Sequence, residues 1–497
     1  MLSTSNLSAA QAENYFVKDD YYTEEEQHEA SFWLGKGAEY LGLTGTVDKT
    51  VFGELLSGTG PGGKVLSGKE IDPKKRRAAT DFTFSAPKSV SVAALMQQDE
   101  RVFAAHHQAV AKAMAVLEER YAQTQGSTEM RRRRVKTGNV IAAVFPHATN
   151  REAEPQLHSH CMVMNTTQLP DGRWFSFGNE EASANKKLLG QIYQNELEIA
   201  LQKYGYAIAP KAHGQFELVG YSPELLKLFS TRRQQIESLV ALWEAEGKTL
   251  FSQDGRVLRS RLVMYEAAAL KSRKRKPTPM QPEQLRQGWK ALAQINDLSL
   301  PELPKTPSIL ERMQTSERQA IEETPTESMT SEKKESAELE QAIQHCDERE
   351  AVFRRTALER FVFEHQLGQI SFEQLQQAIE SNAELIQIDE KRMTTQAAIQ
   401  LELETMWLMR EGKNCVTAIA SMDDVEGQRS ETLTMEQRQA IALVITAPDT
   451  VTAWQGSAGV GKTYALNEVR KVAESQGYQV QGFTPSAEAA HTRGTIN

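Results

Sequence analysis

The sequence predicts an α+β protein with several domains, and three observations support that class. The segment "TDFTFS", which begins at Thr80, alternates polar and apolar residues as a half-buried strand does. Further along, apolar residues recur at three- and four-residue spacing and predict an amphipathic helix: Phe103, Val110, Met114, Leu117 and Tyr121. Later in the chain, "TVTAWQGSAGVGKT" predicts a strand, a glycine-rich turn and the start of a helix. A length of 497 residues is enough for about three such domains.

The strand at Thr80 begins a series of predicted elements. Its two faces differ in polarity, with Asp81, Thr83 and Ser85 on one and Phe82 and Phe84 on the other. Pro87 then suits the first turn of the helix that follows. The segments "GNVIAAVFPH" and "LHSHCMVMNTTQ" predict two more strands, and "NEEASANKKLLGQIYQNELEIALQKYG" predicts one helix that ends at Gly205.

Changes in composition divide the chain into four predicted parts. From Pro277 the sequence becomes rich in Pro, Ser, Thr and Glu and has little periodicity, which is typical of a linker. We expect a first domain over residues 1–297 and an acidic linker over 298–345. A small, mostly helical module over 346–430 and a P-loop α/β domain over 431–497 complete the chain. Inside the module, two helices, a hairpin at "ELIQIDEKRMTT" and another helix follow the order of a winged helix.

The formal net charge of −9 hides an uneven distribution of charge. Basic clusters lie at residues 74–77, 131–134 and 271–276, whereas the acidic segment "ERQAIEETPTESMTSEKKESAELEQ" follows them. Such asymmetry is typical of proteins with a surface that binds a phosphate backbone. Each basic cluster by itself also fits ordinary solvated surface.

The chain carries no signal for a membrane or for secretion. No apolar run reaches the length of about 18 residues that a spanning helix requires. The N-terminus lacks a basic segment followed by an apolar one. The cysteines Cys161, Cys346 and Cys415 are scattered, with no CxxC pair. We therefore expect a cytoplasmic protein without membrane insertion, without a disulfide framework and without a cysteine-based zinc site.

Histidines are concentrated in "VFPHATNREAEPQLHSHCMVMN", which holds three of the chain's ten. His158 and His160 share one face of their predicted strand because side chains alternate along it. His147 lies at the end of the strand before. If the two strands are antiparallel neighbours, three imidazoles converge into a metal site with open positions for a substrate. The alternative is a packed histidine pair in the core.

A metal ion at this site could serve in two ways. It could generate hydroxide from bound water, or it could neutralise a scissile phosphate while a side chain attacks. The segment "AENYFVKDDYYTEEE" offers nucleophiles for the second use, namely Tyr15, Tyr21 and Tyr22. Packing or interface contact is the alternative explanation for these tyrosines.

Together these segments resemble the MobF-type conjugative relaxases, the DNA strand transferases of the relaxase–helicase proteins that initiate plasmid transfer. The shared features are, in order, the N-terminal tyrosines, "WLGKGAEYLGLTG", "DFTFSAPKSVS" and the pattern H-x10-H-x-H. The resemblance covers about residues 1–297. It implies a palm-like antiparallel sheet that is backed by helices and carries the histidines.

The resemblance also implies a reaction. A tyrosine attacks one phosphodiester of single-stranded DNA at the transfer origin, becomes bonded to the 5′ phosphate and releases a 3′ hydroxyl, and the strand is religated later. The matching positions are Tyr15 for the first nucleophile, Tyr21 and Tyr22 for the second, Asp81 for the catalytic aspartate, and His147, His158 and His160 for the metal ligands. Phe16 stands where the family usually has the second tyrosine of the first pair.

The resemblance implies partners as well. We expect phosphate contacts from Lys88, Arg151, Arg273, Lys274 and Arg275, which would position a strand without reading its sequence. Three imidazoles suit Zn²⁺, whereas the resemblance suggests Mg²⁺ or Mn²⁺ as the working ion. A secretion channel, a coupling protein and accessory nicking proteins are the implied partners, and the implied location is the bacterial cytoplasm, with export to a recipient cell together with the DNA.

The G-x4-G-K-T motif predicts a site for ATP and Mg²⁺. Its residues are Gly456, Gly459, Gly461, Lys462 and Thr463. Upstream, "LTMEQRQAI" resembles the glutamine motif of superfamily 1 helicases and puts Gln437 at the position that reads adenine. Only 35 residues follow Lys462 (497 − 462). We therefore expect a truncated RecA-like lobe that binds nucleotide weakly and does not unwind DNA.

Three other functions remain open from the sequence. A rolling-circle replication initiator would share the histidines and the tyrosine. A non-catalytic module could bind single-stranded DNA in order to load a motor. A metal-dependent hydrolase would turn over without becoming attached to DNA. Formation of a metal-dependent covalent adduct with DNA separates the first of these from the other two.

Overall fold

The computed structural model describes eleven segments of the chain: residues 2–12, 31–66, 77–128, 131–246, 250–251, 257–258, 261–272, 281–305, 338–421, 433–457 and 459–482. They belong to two compact units, Met1–Met393 and Thr394–Asn497. In the described segments, no helix is both long and apolar enough to cross a membrane.

The strands of the described segments are two to ten residues long. In chain order they are β1 (Leu2–Leu7), β2 (Phe32–Leu34), β3 (Thr59–Gly60), β4 (Lys64–Val65), β5 (Ala79–Ser85), β6 (Gln123–Thr128), β7 (Arg131–Lys136), β8 (Ala142–Thr149), β9 (Pro155–Met164), β10 (Thr167–Gln168), β11 (Trp174–Phe175), β12 (Ile208–Lys211), β13 (Gln215–Leu218), β14 (Leu250–Phe251), β15 (Val257–Leu258), β16 (Phe353–Arg354), β17 (Leu385–Gln387) and β18 (Arg392–Thr395).

The helices with defined bounds are distributed over both units. In chain order they are α1 (Lys36–Glu39), α2 (Lys49–Ser57), α3 (Lys88–Leu95), α4 (Glu100–Tyr121), α5 (Glu180–Ala184), α6 (Lys186–Lys203), α7 (Pro223–Leu228), α8 (Thr231–Ala245), α9 (Arg261–Lys271), α10 (Pro282–Ile295), α11 (Arg355–His365), α12 (Phe372–Ser381), α13 (Gln396–Glu411), α14 (Met435–Thr446) and α15 (Lys462–Ser475). Residues 338–347 are also helical.

A five-stranded antiparallel sheet organises the first unit. Its strand order is β1-β5-β9-β8-β2, and each neighbouring pair is antiparallel. This confirms the α+β class and the palm-like sheet that the resemblance implied. The edge strand β1 was not predicted, because its sequence "LSTSNL" is mostly polar and exposed.

The back of the sheet faces helices α3, α4 and α6. Phe82 and Phe84 of β5 are fully buried there, together with Cys161 and Val163 of β9. Each large apolar side chain buried in this way contributes about 1.5–3 kcal/mol to folding. The alternation in "TDFTFS" thus correctly predicts which face of β5 meets the helices.

In the described segments, helix α2 covers one end of the front of the sheet. Phe145 of β8 and Met162 of β9 pack there against Phe52 and Leu55 of helix α2. Towards the other end of this face the same alternation brings up polar residues, among them the three histidines. The front face therefore changes from apolar core to polar site along the length of two strands.

The predicted helix over residues 179–205 is in fact two helices, α5 and α6, so the prediction of one helix was wrong. The break is at Asn185, whose backbone has φ −97° and ψ 14°. The Asn185 side-chain amide donates to the carbonyl of Glu181 at 2.9 Å. An asparagine that bonds a nearby carbonyl in this way competes with the helical hydrogen-bond ladder.

Part of the segment predicted as a linker is ordered. Helix α10 lies within it and buries Leu285, Trp289 and Ala293. The Trp289 indole N–H donates to the carbonyl of Ala153 at 2.8 Å. The linker prediction from Pro277 was therefore wrong for residues 282–295, where the spacing of 285, 289 and 293 is a helical signal hidden by the polar composition.

The first part of the small module, as far as Met393, belongs to the same compact unit as the sheet. Its described part contains the predicted helices, α11 and α12, and the predicted hairpin strands, β17 and β18. Leu358, Val362 and Phe372 share one apolar core with the first domain. Arg120 of α4 donates to Glu359 at 2.8 Å. The compact unit ends at Met393, while the domain limits at 297, 345 and 430 stay predictions.

The second unit contains α13, α14 and α15. Ile441 and Ile445 of α14 pack against Val469 and Val472 of α15. Residues 450–456, predicted to form the strand before the P-loop, are not in a strand, so that prediction was wrong. A strand requires a neighbour with which to hydrogen-bond, and no described segment is paired with this one.

A buried carboxylate between the first domain and the module makes stability depend on pH. Glu198 of α6 is 4% exposed, and its environment raises the pKa to about 7 through desolvation. The folded state therefore holds a proton that the unfolded state releases near pH 4.5, and stability falls as pH rises from about 4.5 to 7.

Glu198→Gln should remove this loss. We expect the variant to be more stable than the wild type at pH 8, by at most about 3 kcal/mol, with the difference disappearing near pH 4.5. Urea unfolding of the full chain across this range measures it. Glu364→Gln is the control of opposite sign, because the bond from His213 lowers the pKa of Glu364. An unchanged difference between pH 4.5 and pH 8 would contradict the prediction.

Candidate metal centre

Three imidazole rings converge on the front face of the sheet. The ring centroids of His147, His158 and His160 are 4.9 to 5.2 Å apart. One nitrogen from each ring lies within 4.8 Å of the others. His147 is buried, and the other two rings are half-buried. The sequence prediction that these three histidines meet is confirmed by this geometry.

The pairing of β8 with β9 brings the rings together. His147 is directly opposite His158 in the antiparallel register, and a bulge follows between His147 and Thr149. His160 is two residues further along β9 and therefore on the same face. The bulge interrupts the regular pairing of the two strands next to the rings.

Asp81 orients His160 from the neighbouring strand. Its Oδ2 accepts a hydrogen bond from His160 Nδ1 at 2.8 Å. The Thr83 hydroxyl donates to the same Asp81 oxygen at 3.2 Å. A carboxylate only accepts hydrogen bonds, so Nδ1 of His160 carries the proton and Nε2 is the bare nitrogen. Asp81 is 2% exposed, which holds the pair away from water.

A backbone carbonyl does the same for His158. Its Nδ1 donates to the carbonyl oxygen of Gln156 at 2.8 Å. The proton is again on Nδ1, and Nε2 keeps its lone pair. A metal-binding histidine typically has its second nitrogen tied to a carboxylate or a carbonyl in this manner. Two of the three rings are therefore held in the tautomer that binds a cation.

Burial keeps two of the rings, those of His147 and His158, neutral. Desolvation, reinforced by the neighbouring imidazoles, lowers the pKa of His147 well below its ordinary value. Desolvation, followed by the effect of His160, lowers the pKa of His158 to about 3. Neutral imidazole is the form that coordinates a metal. Both rings are thus ready to bind without releasing a proton at neutral pH.

The three rings fit a divalent transition-type ion. Nitrogen ligands about 2.1 Å from one tetrahedral ion lie about 3.4 Å apart, so the rings need to draw in by about an ångström or somewhat more on binding. His147, His158 and His160 supply three nitrogen ligands, and hydrogen bonds hold the rings of His158 and His160 in place. They leave the remaining coordination positions for a substrate or water.

The other predicted site residues of the first domain are less completely described. Tyr15, Tyr21 and Tyr22 lie outside the described residues, and so do Arg273, Lys274 and Arg275. Arg151 is half-buried in the turn between β8 and β9. Lys88 begins helix α3, and its ammonium donates to the carbonyl of Pro155 at 2.9 Å. Desolvation lowers the pKa of Lys88 to about 8. The DNA contacts of these residues stay predictions.

The predicted P-loop lies in the second unit. Lys462 begins helix α15, and its ammonium donates to the carbonyls of Gly456 and Ser457 at 2.6 and 2.9 Å. Gly461 has a φ of 78°, a left-handed conformation that favours glycine. The amide of Gln437 donates to the carbonyl of Val460 at 3.0 Å. Gly459 and Thr463 are exposed, and nucleotide binding by these residues stays a prediction.

Of the groups that support the histidines, the sequence indicated Asp81 but neither Thr83 nor the carbonyl of Gln156. Thr83 was placed on the face of Asp81 but was given no role, although alternation alone set it beside the aspartate. The carbonyl of Gln156 has no sequence signal, because any residue supplies a carbonyl. His106, behind the sheet, was also missed. Its neighbour His107 packs against Phe32 at a ring separation of 5.8 Å, as expected of an ordinary packed histidine.

Known protein families match two parts of the chain. The family described as TrwC relaxase matches residues 9–295. The family described as AAA domain matches residues 432–495. The first match contains four of the five sheet strands, β2, β5, β8 and β9, and all three histidines, and the second contains the G-x4-G-K-T motif.

Among curated proteins, two forms of the "Multifunctional conjugation protein TraI" from Escherichia coli are similar to this chain. One is 39% identical and the other, from strain K12, is 37% identical over 273 residues. The matched segment is 52% of this chain and 15% of each relative. The chain therefore spans only a small part of the length of these relatives.

Solved structures of the relaxase TrwC have the same fold over the first domain. The structure of TrwC in complex with OriT DNA in its metal-bound form is 35% identical, with a TM-score of 0.52. A copper-bound complex gives the same values. A complex with a 27-mer DNA that comprises the recognition hairpin and the cleavage site has a TM-score of 0.51. Each match covers 60% of this chain and 99% of the solved chain.

The bond from His160 to Asp81 should strengthen metal binding. In Asp81→Asn the neutral amide no longer stabilises the positive charge that a metal-bound imidazole acquires. We expect Mn²⁺ affinity, measured by calorimetry on the full chain, to fall about 10-fold or more. Asp171→Asn, in an exposed turn, is the control and should bind as the wild type does. Equal affinities for the two variants would show that Asp81 does not support the site.

Proposed function

Because the chain belongs to the TrwC relaxase family, we propose that it is a conjugative relaxase, an enzyme that nicks and rejoins one DNA strand at a plasmid transfer origin. The single observation that carries the proposal is the convergence of three histidines with Asp81 behind His160. The matched TrwC structures are complexes with OriT DNA, with and without metal, and this similarity supports the same substrate class for this chain.

The nucleophile in this proposal is Tyr15. Its phenol oxygen bonds to the phosphorus of the scissile phosphodiester while the bond from phosphorus to the 3′ oxygen breaks. The phenol gives up its proton and the 3′ oxygen gains one, so the products are a 5′-phosphotyrosine and a 3′ hydroxyl. The new diester conserves the energy of the old bond. The strand can therefore be rejoined by the reverse reaction without ATP.

The ordered residues hold and orient the site for this reaction. His147, His158 and His160 hold the ion by their bare nitrogens, and Asp81 fixes the ring of His160. When bound, a divalent ion supplies positive charge to an oxygen of the scissile phosphate and so stabilises the charge of the transition state. Asp81 already accepts two hydrogen bonds, which supports an orienting role over that of a general base.

Tyr15 is tethered close to the sheet. Ser5 of β1 is paired with Asp81 of β5, and Ala12 is fully buried in the front-face core. Tyr15 follows Ala12 by three residue steps, which span at most about 11 Å. We propose Tyr21 or Tyr22 for a second transesterification, because these residues match the second tyrosine pair of the family.

The remaining assignments are part of the same proposal. The working ion is Mg²⁺ or Mn²⁺, although three imidazoles also accept Zn²⁺. Arg151, Arg273, Lys274 and Arg275 contact DNA phosphates, and Lys88 contributes a positive charge close to β9. The G-x4-G-K-T motif binds ATP with Mg²⁺. The protein acts in the bacterial cytoplasm with a coupling protein, a secretion channel and accessory nicking proteins, and is exported with the DNA.

A covalent-capture experiment tests the proposal. The full chain is incubated with a random pool of single-stranded DNA and Mn²⁺, denatured, and assayed for DNA that stays attached to protein. We expect adducts that disappear with EDTA and decrease at least about 100-fold in Tyr15→Phe, because phenylalanine lacks the attacking oxygen. Tyr40→Phe, at an exposed tyrosine, is the matched control and should form adducts normally.

The outcomes separate the competing functions. Adducts that persist in Tyr15→Phe would move the nucleophile to Tyr21 or Tyr22. DNA that is cut without attachment would favour a hydrolase, and DNA binding without cutting would favour a binding module. Sequencing of the captured DNA distinguishes a transfer origin from a replication origin.

A further inference from the structure

A second polar cluster lies directly behind the metal centre, on the opposite side of the sheet. Ser159 is between His158 and His160 in β9, so its side chain points away from them into the helical layer. His106 of α4 lies 2.8 Å from the Ser159 hydroxyl through Nε2. The same ring lies 2.8 Å from the Tyr193 hydroxyl of α6 through Nδ1. All three side chains are 0% exposed.

The three side chains form one continuous hydrogen-bonded chain. Burial lowers the pKa of His106 well below its ordinary value, so the ring is neutral. A neutral ring has one N–H and one bare nitrogen. Either Tyr193 donates to the ring and the ring donates to Ser159, or both bonds run the other way. In both arrangements the two ring nitrogens are satisfied, and both hydroxyls are tied to the ring.

Apolar packing alone would not require these groups. Burying polar side chains costs free energy, which their mutual hydrogen bonds only offset. The cluster also borders the apolar core, where Phe84 contacts Tyr193 at a ring separation of 5.3 Å. What the bonds add is direction, because a hydrogen bond restricts distance and angle more closely than an apolar contact does.

The hydrogen bond to the Ser159 side chain can fix the position of β9, because the backbone of the same residue is bonded to β5. The carbonyl of Leu157 accepts from the amide of Ala86, so in the alternating ladder of β9 and β5 the backbone of Ser159 bonds to Phe84. Pro146, which has no N–H, lies opposite Ser159 on the β8 side. Its missing donor breaks no bond there because the backbone of Ser159 faces β5. Ser159 is thus held by β5 through its backbone and by α4 through its side chain.

We infer that Ser159, His106 and Tyr193 are positioning residues that hold β9 at the spacing at which His158 and His160 bind the metal ion. This inference rests on the proposed metal-dependent function. None of the three touches the ion or the substrate; they act through the backbone between two ligands. The helical layer behind the sheet thereby contributes to metal affinity on the front of it.

The test compares hydrogen-bond deletions with a packing deletion on the same strand. Ser159→Ala and Tyr193→Phe each remove one hydroxyl and keep the rest of the side chain. Val163→Ala is the matched control, because Val163 is fully buried on the same face of β9 and takes no part in the hydrogen bonds among Ser159, His106 and Tyr193. The full-length variants are first compared by thermal unfolding, and metal binding is then measured below the unfolding transition.

Two readouts report on the site without activity. Calorimetry gives the affinity for Mn²⁺, and the visible spectrum of bound Co²⁺ reports the ligand geometry. We expect Ser159→Ala and Tyr193→Phe to bind about 3- to 10-fold more weakly, less than the 10- to 100-fold effect of losing a direct partner of a ligand. The Co²⁺ spectrum should shift in both. The double variant should lose less than the product of the two single losses, because the two bonds belong to one chain.

Any one of the following results would overturn the inference. Wild-type affinity and an unchanged spectrum in Tyr193→Phe would do so even if Ser159→Ala failed to fold. Equal weakening in Val163→Ala would reduce the effect to general destabilisation. A wild-type chain that binds neither Mn²⁺ nor Co²⁺ would overturn the proposed metal site, and the inference with it. Normal wild-type binding with unaffected variants would overturn the inference alone.

Discussion

The register between β8 and β9 is the constraint on which the site depends. A slip of one residue would turn His158 and His160 to the back of the sheet. Both faces of β9 are buried over Cys161–Met164, so apolar alternation does not select the register there. The polar partners do: Asp81 accepts from His160 on the front, and His106 bonds Ser159 on the back. Each contact would be lost in a slipped sheet.

Burial and hydrogen bonding have different effects on the histidines, and metal binding needs both. Desolvation removes the proton from His147 and His158 and so keeps their lone pairs available. Hydrogen bonds to Gln156 and Asp81 then decide which nitrogen keeps its remaining hydrogen. An exposed cluster would be protonated in mild acid and would rotate freely. On the front face the apolar core lies beside the histidines, so burial and hydrogen bonding act on the same rings.

Helix α6 connects the two sides of the first unit. Tyr193 faces the sheet and His106, whereas Asn195 binds the module through the amide of Gly368 and the carbonyl of Ile370, both at 2.8 Å. Asn195 is fully buried, as an interior residue of one core is. Gly368 has a φ of 73°, and a side chain there would collide with Glu198. Helices α11 and α12 of the module thus share one core with the first domain, although the module's sequence reads as a separate helical segment.

The sequence by itself determined the α+β class, the faces of β5 and β9, and the meeting of His147, His158 and His160. These follow from a period of two along a strand and from hydrogen-bonding groups that every residue carries, so local pattern is sufficient. Tertiary structure decided three other features. A side-chain hydrogen bond from Asn185 competes with the helical ladder and breaks the helix there. Packing neighbours decide that a polar segment forms helix α10 and that no strand forms before the P-loop. The partners of the histidines were also decided by tertiary structure. Asp81, the Gln156 carbonyl and His106 come from three different elements, and only the folded sheet brings them within hydrogen-bonding distance of β9.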